Sequence, residues 1–126
     1  MNPSAIYDAL LTRCGTVPGQ YPTSYPNRSF TPPTEAPYLQ VEVFPNRPRW
    51  EALGPGKMDQ GVLQITIVYP IRDGLIPIAE IADVVLAHFP KGQRFEGVRV
   101  SGEPWVAQPI IEASEIRLPV TIPWVA

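Results

Sequence analysis

The residues able to do chemistry are few. Glu80 with Asp83, and Glu112 with Glu115, are the closely spaced carboxylate pairs that general acid–base catalysis would draw on. Glu80 and Asp83 fall on the polar side of an amphipathic helical pattern, so a solvated face is expected there. The sole histidine, His88, stands beside Phe89 near the end of that pattern, where a solvated or half-buried structural role is expected rather than general-base work. The sole cysteine, Cys14, closes an earlier helical pattern. A thiol at a helix C-terminus gains nothing from the dipole that activates thiols at N-termini, so Cys14 is read as a packing residue. One Cys and one His leave no Cys/His zinc site, and a single Cys forms no intramolecular disulfide. No GxSxG, HExxH, P-loop or GxGxxG pattern occurs. Gly54-Pro55-Gly56-Lys57 only faintly resembles a phosphate loop and lacks its spacing and its Ser or Thr. The expectation is therefore no catalytic residue, no metal and no cofactor.

Composition agrees with a folded, non-enzymatic module. The chain has 126 residues, which predicts one domain over 1–126. Leu, Ile, Val and Phe supply 35 of them, enough for a packed core. The 17 prolines and 9 glycines are about a fifth of the chain, short of low complexity but consistent with long loops. The formal charge is −2 and the pI near 5.3, with no block of like charges, so neither nucleic acid nor an anionic membrane is an expected partner. The apolar runs are too short for a transmembrane helix, and 1–11 has no basic leader. A single cysteine implies no oxidising compartment, so a cytosolic site is the default.

Elements follow from the apolar period. Asn2-Pro3 caps a short helix over about 3–14, with Ile6, Ala9, Leu10 and Arg13 at helical spacing and Gly15 as the stop. Six prolines with Tyr21, Tyr25 and Phe30 fill 17–37, an ordered extended loop whose aromatics need something to pack against. Residues 38–44 alternate, with Leu39, Val41 and Val43 on one face, and 62–69 do the same with Leu63, Ile65, Ile67 and Tyr69 inward. These two strands read as a long-looped antiparallel hairpin, its loop spanning 45–61. Pro77 opens a second helix with Ile78, Ile81, Ala82, Val85, Leu86 and Phe89 on one side, closed by Pro90-Lys91-Gly92. Strands at 98–100, 105–107 and 115–124 complete the chain. Pro119 and Pro123 predict an edge or strand-end position for the last of these. The fold class is α+β, a mostly antiparallel sheet with two helices on one face.

Loops of that length in a compact domain are usually functional. Arg47, Arg49, Trp50, Leu53 and Lys57 place guanidiniums, an ammonium, an indole and an aliphatic group together, a composition enriched at protein-interface hot spots. The alternative is a solvated hairpin tip with Trp50 folded back on the sheet. Stacking on single-stranded nucleic acid is the weaker option in an acidic chain.

The whole pattern resembles a known family. A short N-terminal helix, a stretch with Phe30-Thr31-Pro32-Pro33 running into Pro37-Tyr38-Leu39, and Gly61-Val62-Leu63-Gln64-Ile65 come in order, followed by Ala87-His88-Phe89-Pro90-Lys91-Gly92 and the closing Val120-Thr121-Ile122-Pro123-Trp124. This looks like the small tail terminator or tail completion proteins of long-tailed phages and prophages, the group of the lambda minor tail protein U. The resemblance implies a homo-oligomeric ring, a hexamer, seated on the last ring of the tail tube protein. There it would stop tube polymerisation and offer a surface to head completion or neck proteins. It also implies a place in the virion tail, assembled in the bacterial cytoplasm. A neck or head–tail connector is the alternative within virion assembly. A small hydrolytic or ligand-binding α+β domain is the alternative outside it, marked by a carboxylate of raised pKa at Glu112 or Glu115 in a cleft.

Overall fold

A computed structural model describes residues 2–50, 57–70 and 74–126, with the backbone alone for 47–50 and 57. Helix α1 spans Pro3–Cys14. Its N-cap is Asn2, whose side chain accepts from the Ala5 N–H at 2.9 Å, and Pro3 occupies the first turn. Helix α2 spans Ile76–His88 and buries Ile78, Ile81, Ala82 and Val85, while Glu80, Asp83 and Ala87 are exposed as the apolar period predicts.

The strands are β1 (Thr23–Ser24), β2 (Tyr38–Trp50), β3 (Lys57–Tyr69), β4 (Arg94–Phe95), β5 (Val98–Val100), β6 (Trp105–Val106), β7 (Ile110–Ile111) and β8 (Ile116–Val125). They form one curled sheet in the order β1-β2-β3-β8-β5-β4, with β6 and β7 also pairing with β8. Every pair is antiparallel except β1 with β2. Register sets the two faces. Leu39–Ile67–Leu118 and Val41–Ile65–Val120 are rows across β2, β3 and β8, and all six side chains are buried in one cluster with Leu10 of α1 and Val85 of α2. Both helices therefore cover the same face, giving the expected α+β class. The other face carries Gln40–Thr66–Pro119 and Glu42–Gln64–Thr121.

The extended segment after α1 packs as its aromatics require. Tyr21 and Tyr25 lie against the core, and the Phe30 ring centroid is 5.3 Å from that of Tyr38. The parallel strand β1 within it is a feature that neither propensity nor period announces. Leu39 donates its N–H to the Pro22 carbonyl at 2.9 Å.

Two expectations are corrected. Residues 45–61 do not form one long loop: β2 runs on to Trp50 and β3 begins at Lys57. The prolines permit this because β2 past Gln40 has no strand on its outer side. Pro45 shares the outward parity of Leu39, so no ladder bond is lost, and Pro48 lies within the bulge between Asn46 and Arg49.

Secondly, β8 is interior rather than at an edge. The Pro119 carbonyl accepts from the Ala107 N–H at 2.9 Å and the Pro123 carbonyl from the Ser101 N–H at 3.0 Å. A strand residue's N–H and C=O point the same way, so both prolines turn their missing donor away from β3. On that side β8 meets only the short strands β5, β6 and β7. The long ladder to β3 is unbroken.

Candidate functional site

Of the carboxylate pairs that could do acid–base chemistry, Glu80 and Asp83 lie exposed on α2, and Glu112 and Glu115 flank Arg117. Arg117 Nε lies 2.7 Å from Glu115 Oε2 and 3.7 Å from Glu112 Oε1, and Arg117 Nη1 donates to Gln40 Oε1 at 2.9 Å. These carboxylates hold the Arg117 guanidinium, which links the start of β8 to Gln40 of β2. Cys14 is buried, and burial pushes its thiol up to about 12. Among the described residues no group of three or more His, Cys, Asp or Glu could hold a metal ion.

His88 joins the C-terminal ends of the two helices. Its Nε2 lies 3.1 Å from the Arg13 carbonyl and 2.8 Å from Thr16 Oγ1, while Arg13 Nη2 donates to the His88 carbonyl at 2.9 Å. Because the Arg13 carbonyl only accepts, Nε2 is the protonated nitrogen of the neutral ring. Burial and then the Arg13 guanidinium hold His88 below its usual value, against the pull of the Arg13 carbonyl. On acidification the unfolded chain is therefore protonated first. Stability from this group is complete above about pH 6.5 and declines as pH falls from there to the folded value, where the decline stops. Urea midpoints at about pH 7.5 and 5.5 should differ less in His88→Gln than in the parent chain; an unchanged difference would show that other groups carry the slope.

The hairpin residues singled out by composition sit at the sheet's far end. Arg47, Arg49 and Trp50 lie on β2 and Lys57 on β3, with Arg49 facing Met58 and Trp50 facing Lys57 in register. Leu53 and the Gly54-Pro55-Gly56 run lie outside the described residues, as do the side chains of the other four. Pairing of β3 with β8 ends at Gln60–Val125, and Asp59 exchanges two backbone bonds with Ala126 at 3.1 and 2.8 Å. Beyond Asp59 the hairpin continues as a two-stranded ribbon.

Two features escaped the sequence reading. A groove of about 830 Å³ lies between α1, the segment after β1 and the outer edge of β2, lined among others by Tyr7, Leu11, Tyr25, Arg28, Glu42 and Val43. At the opposite end of the sheet, Trp105, Val106, Ile110 and Ile111 of β6 and β7 are exposed. The cation-free stretch 101–116 was the available signal for the latter. The groove has none, since its walls come from three separate segments.

The model of the phage tail terminator protein family matches residues 5–124. The chain belongs to the phage tail terminator family. The tail terminator fold is seen again in a solved structure with TM-score 0.80 and 25% identity, covering 99% of this chain and 95% of that one. No curated protein sequence matches the chain. Tail terminator proteins are structural and non-enzymatic, which accords with carboxylates tied to Arg117 and a buried thiol. Family membership gives this chain a structural role in the virion tail, in contact with other tail components. No helix among the described residues is long and apolar enough to cross a membrane.

Proposed function

We propose that this single-domain chain assembles as a homo-oligomeric ring, a hexamer, on the last ring of the tail tube. There it stops tube polymerisation and presents its other surface to head completion or neck proteins. The observation that carries the reading is the family match over nearly the whole chain. Termination is steric and energetic: a subunit that fits the tube's end but lacks the tube's self-propagating surface caps the polymer. Each contact is modest, and six linked contacts raise the avidity greatly.

In this reading the hairpin bearing Arg47, Arg49, Trp50, Leu53 and Lys57 is a protein-contact element. Its residue types suit an interface core, and its ribbon extends past the last β3–β8 pair. Assembly in the bacterial cytoplasm needs no nucleic acid and no membrane.

Electron microscopy of particles from the parent phage or prophage with this gene disrupted tests the role. Overlong or unjoined tails beside filled heads are expected. Tails of normal length that fail only at the portal side would favour the connector role, and normal virions would overturn both.

A further inference from the structure

The sheet has two unfinished edges, and they lie at opposite ends. On one side β1 pairs with β2 only at Leu39 and Gln40, because the chain continues from β1 into Pro26, which has no N–H to extend the ladder. Leu39 bonds toward β1, so by alternation the backbone groups of Val43 also point away from β3, over the groove. On the other side, the Ala107 N–H bonds to the Pro119 carbonyl of β8 and the Glu112 N–H to the Glu115 carbonyl just before it. Alternation then turns the backbone of Val106 and Ile111 outward.

Unpaired backbone groups at a sheet edge are templates for pairing with another chain. Apolar exposure is concentrated at the same two places. Of the eight large hydrophobics exposed among the described residues, four lie on β6 and β7, and two more, Tyr7 and Phe44, lie at the groove or on β2. The β6–β7 stretch carries the exposed carboxylate of Glu103 and no cation over 101–116, and the groove lining offers one cation, Arg28, and one carboxylate, Glu42.

We propose that the β6–β7 edge of one copy seats in the α1/β1/β2 groove of the next, continuing the sheet from subunit to subunit. The contact is heterologous, the type that a closed ring requires, and this inference rests on the ring reading above. The occupant of the groove is a second copy of this chain. In register, Trp105, Thr121, Gln64 and Glu42 form one row on the helix-free face, with Trp105 and Glu42 at its two ends. Sheet continuation brings Trp105 of one copy beside Glu42 of its neighbour.

The test uses two variants of the full chain that each add one cysteine, Glu42→Cys and Trp105→Cys, carrying different tags and mixed. Cys14 is buried and its thiol stays protonated at neutral pH, so it does not compete. The cross-linker is a short bismaleimide. Each copy carries only one of the two engineered thiols, so a mixed-tag cross-link can form only between copies. Mixed-tag dimers should dominate over same-tag dimers by at least about tenfold, and adding Ile111→Glu to the Trp105→Cys chain should abolish them. Same-tag dimers of Glu42→Cys would mean a two-fold contact between β2 edges and would overturn the proposal, as would no cross-link. Light scattering on the uncross-linked chain separates the two readings. A ring without mixed cross-links sinks this contact and leaves the ring, whereas mixed cross-links in open chains sink the ring and leave the contact.

Discussion

Gly61→Ala should lose about 1–3 kcal/mol of stability, a large part of the ~5–15 kcal/mol typical of a domain. Gly61 sits at the root of the hairpin, opposite Pro45 on β2 and Trp124 on β8. A Cβ there would stand 2.5 Å from the Phe44 carbonyl oxygen, 2.7 Å from Trp124 Cζ2 and 2.9 Å from Pro45 Cα. Two of these three atoms are backbone, and the third belongs to the largest fully buried side chain. None can move without displacing the sheet, so the cost is overpacking rather than a strained dihedral. Gly102→Ala is the control, because its Cβ would meet only Pro123 Cγ at 3.3 Å. Urea midpoints should fall clearly for Gly61→Ala and barely for Gly102→Ala at unchanged m. Equal midpoints would show that β2 and β3 can separate at this point.

Trp50→Ala should do the reverse, sparing the fold and removing assembly. If Trp50 is a contact residue, truncation costs about 2 kcal/mol or more at each interface, roughly thirtyfold in affinity. Repeated around a ring, that loss should leave few joined particles. Thermal or urea unfolding of the purified variant should stay within about 0.5 kcal/mol of the parent. A strongly destabilised variant would identify Trp50 as a packing residue and remove the hairpin from the interface. Comparison with Gly61→Ala is informative, since that change reaches the hairpin only through the fold.

Much of this architecture is legible without coordinates, and for identifiable reasons. Asn2-Pro3 and Gly15 bound α1, and the spacing Ile78, Ile81, Ala82, Val85 marks the buried side of α2. Alternation at Leu39, Val41, Leu63, Ile65 and Ile67 gives the strand faces, because period and burial are local consequences of one another when a single face is covered. The poverty of catalytic groups is also a property of composition. Turn residues misled where their meaning depends on neighbours. Pro45 and Pro48 read as loop because proline breaks a central ladder, yet Pro45 faces the outer side of β2, where there is no ladder to break, and Pro48 lies in the bulge. Pro119 and Pro123 read as edge, yet their parity directs the missing donors toward short strands.

The sequence by itself therefore determined the two helices, the central strands with their buried faces, the α+β class and the poverty of catalytic groups. Only the tertiary structure decided strand order, the parallel β1, the interior place of β8, and the pairing of His88 with Arg13 and Thr16. It also decided that Tyr7, Arg28 and Glu42 share a groove while Trp105 and Ile111 share the opposite edge. The physical reason is the same throughout. Period, capping and composition act over a few residues, whereas edges and grooves arise where segments distant in the chain meet or fail to meet.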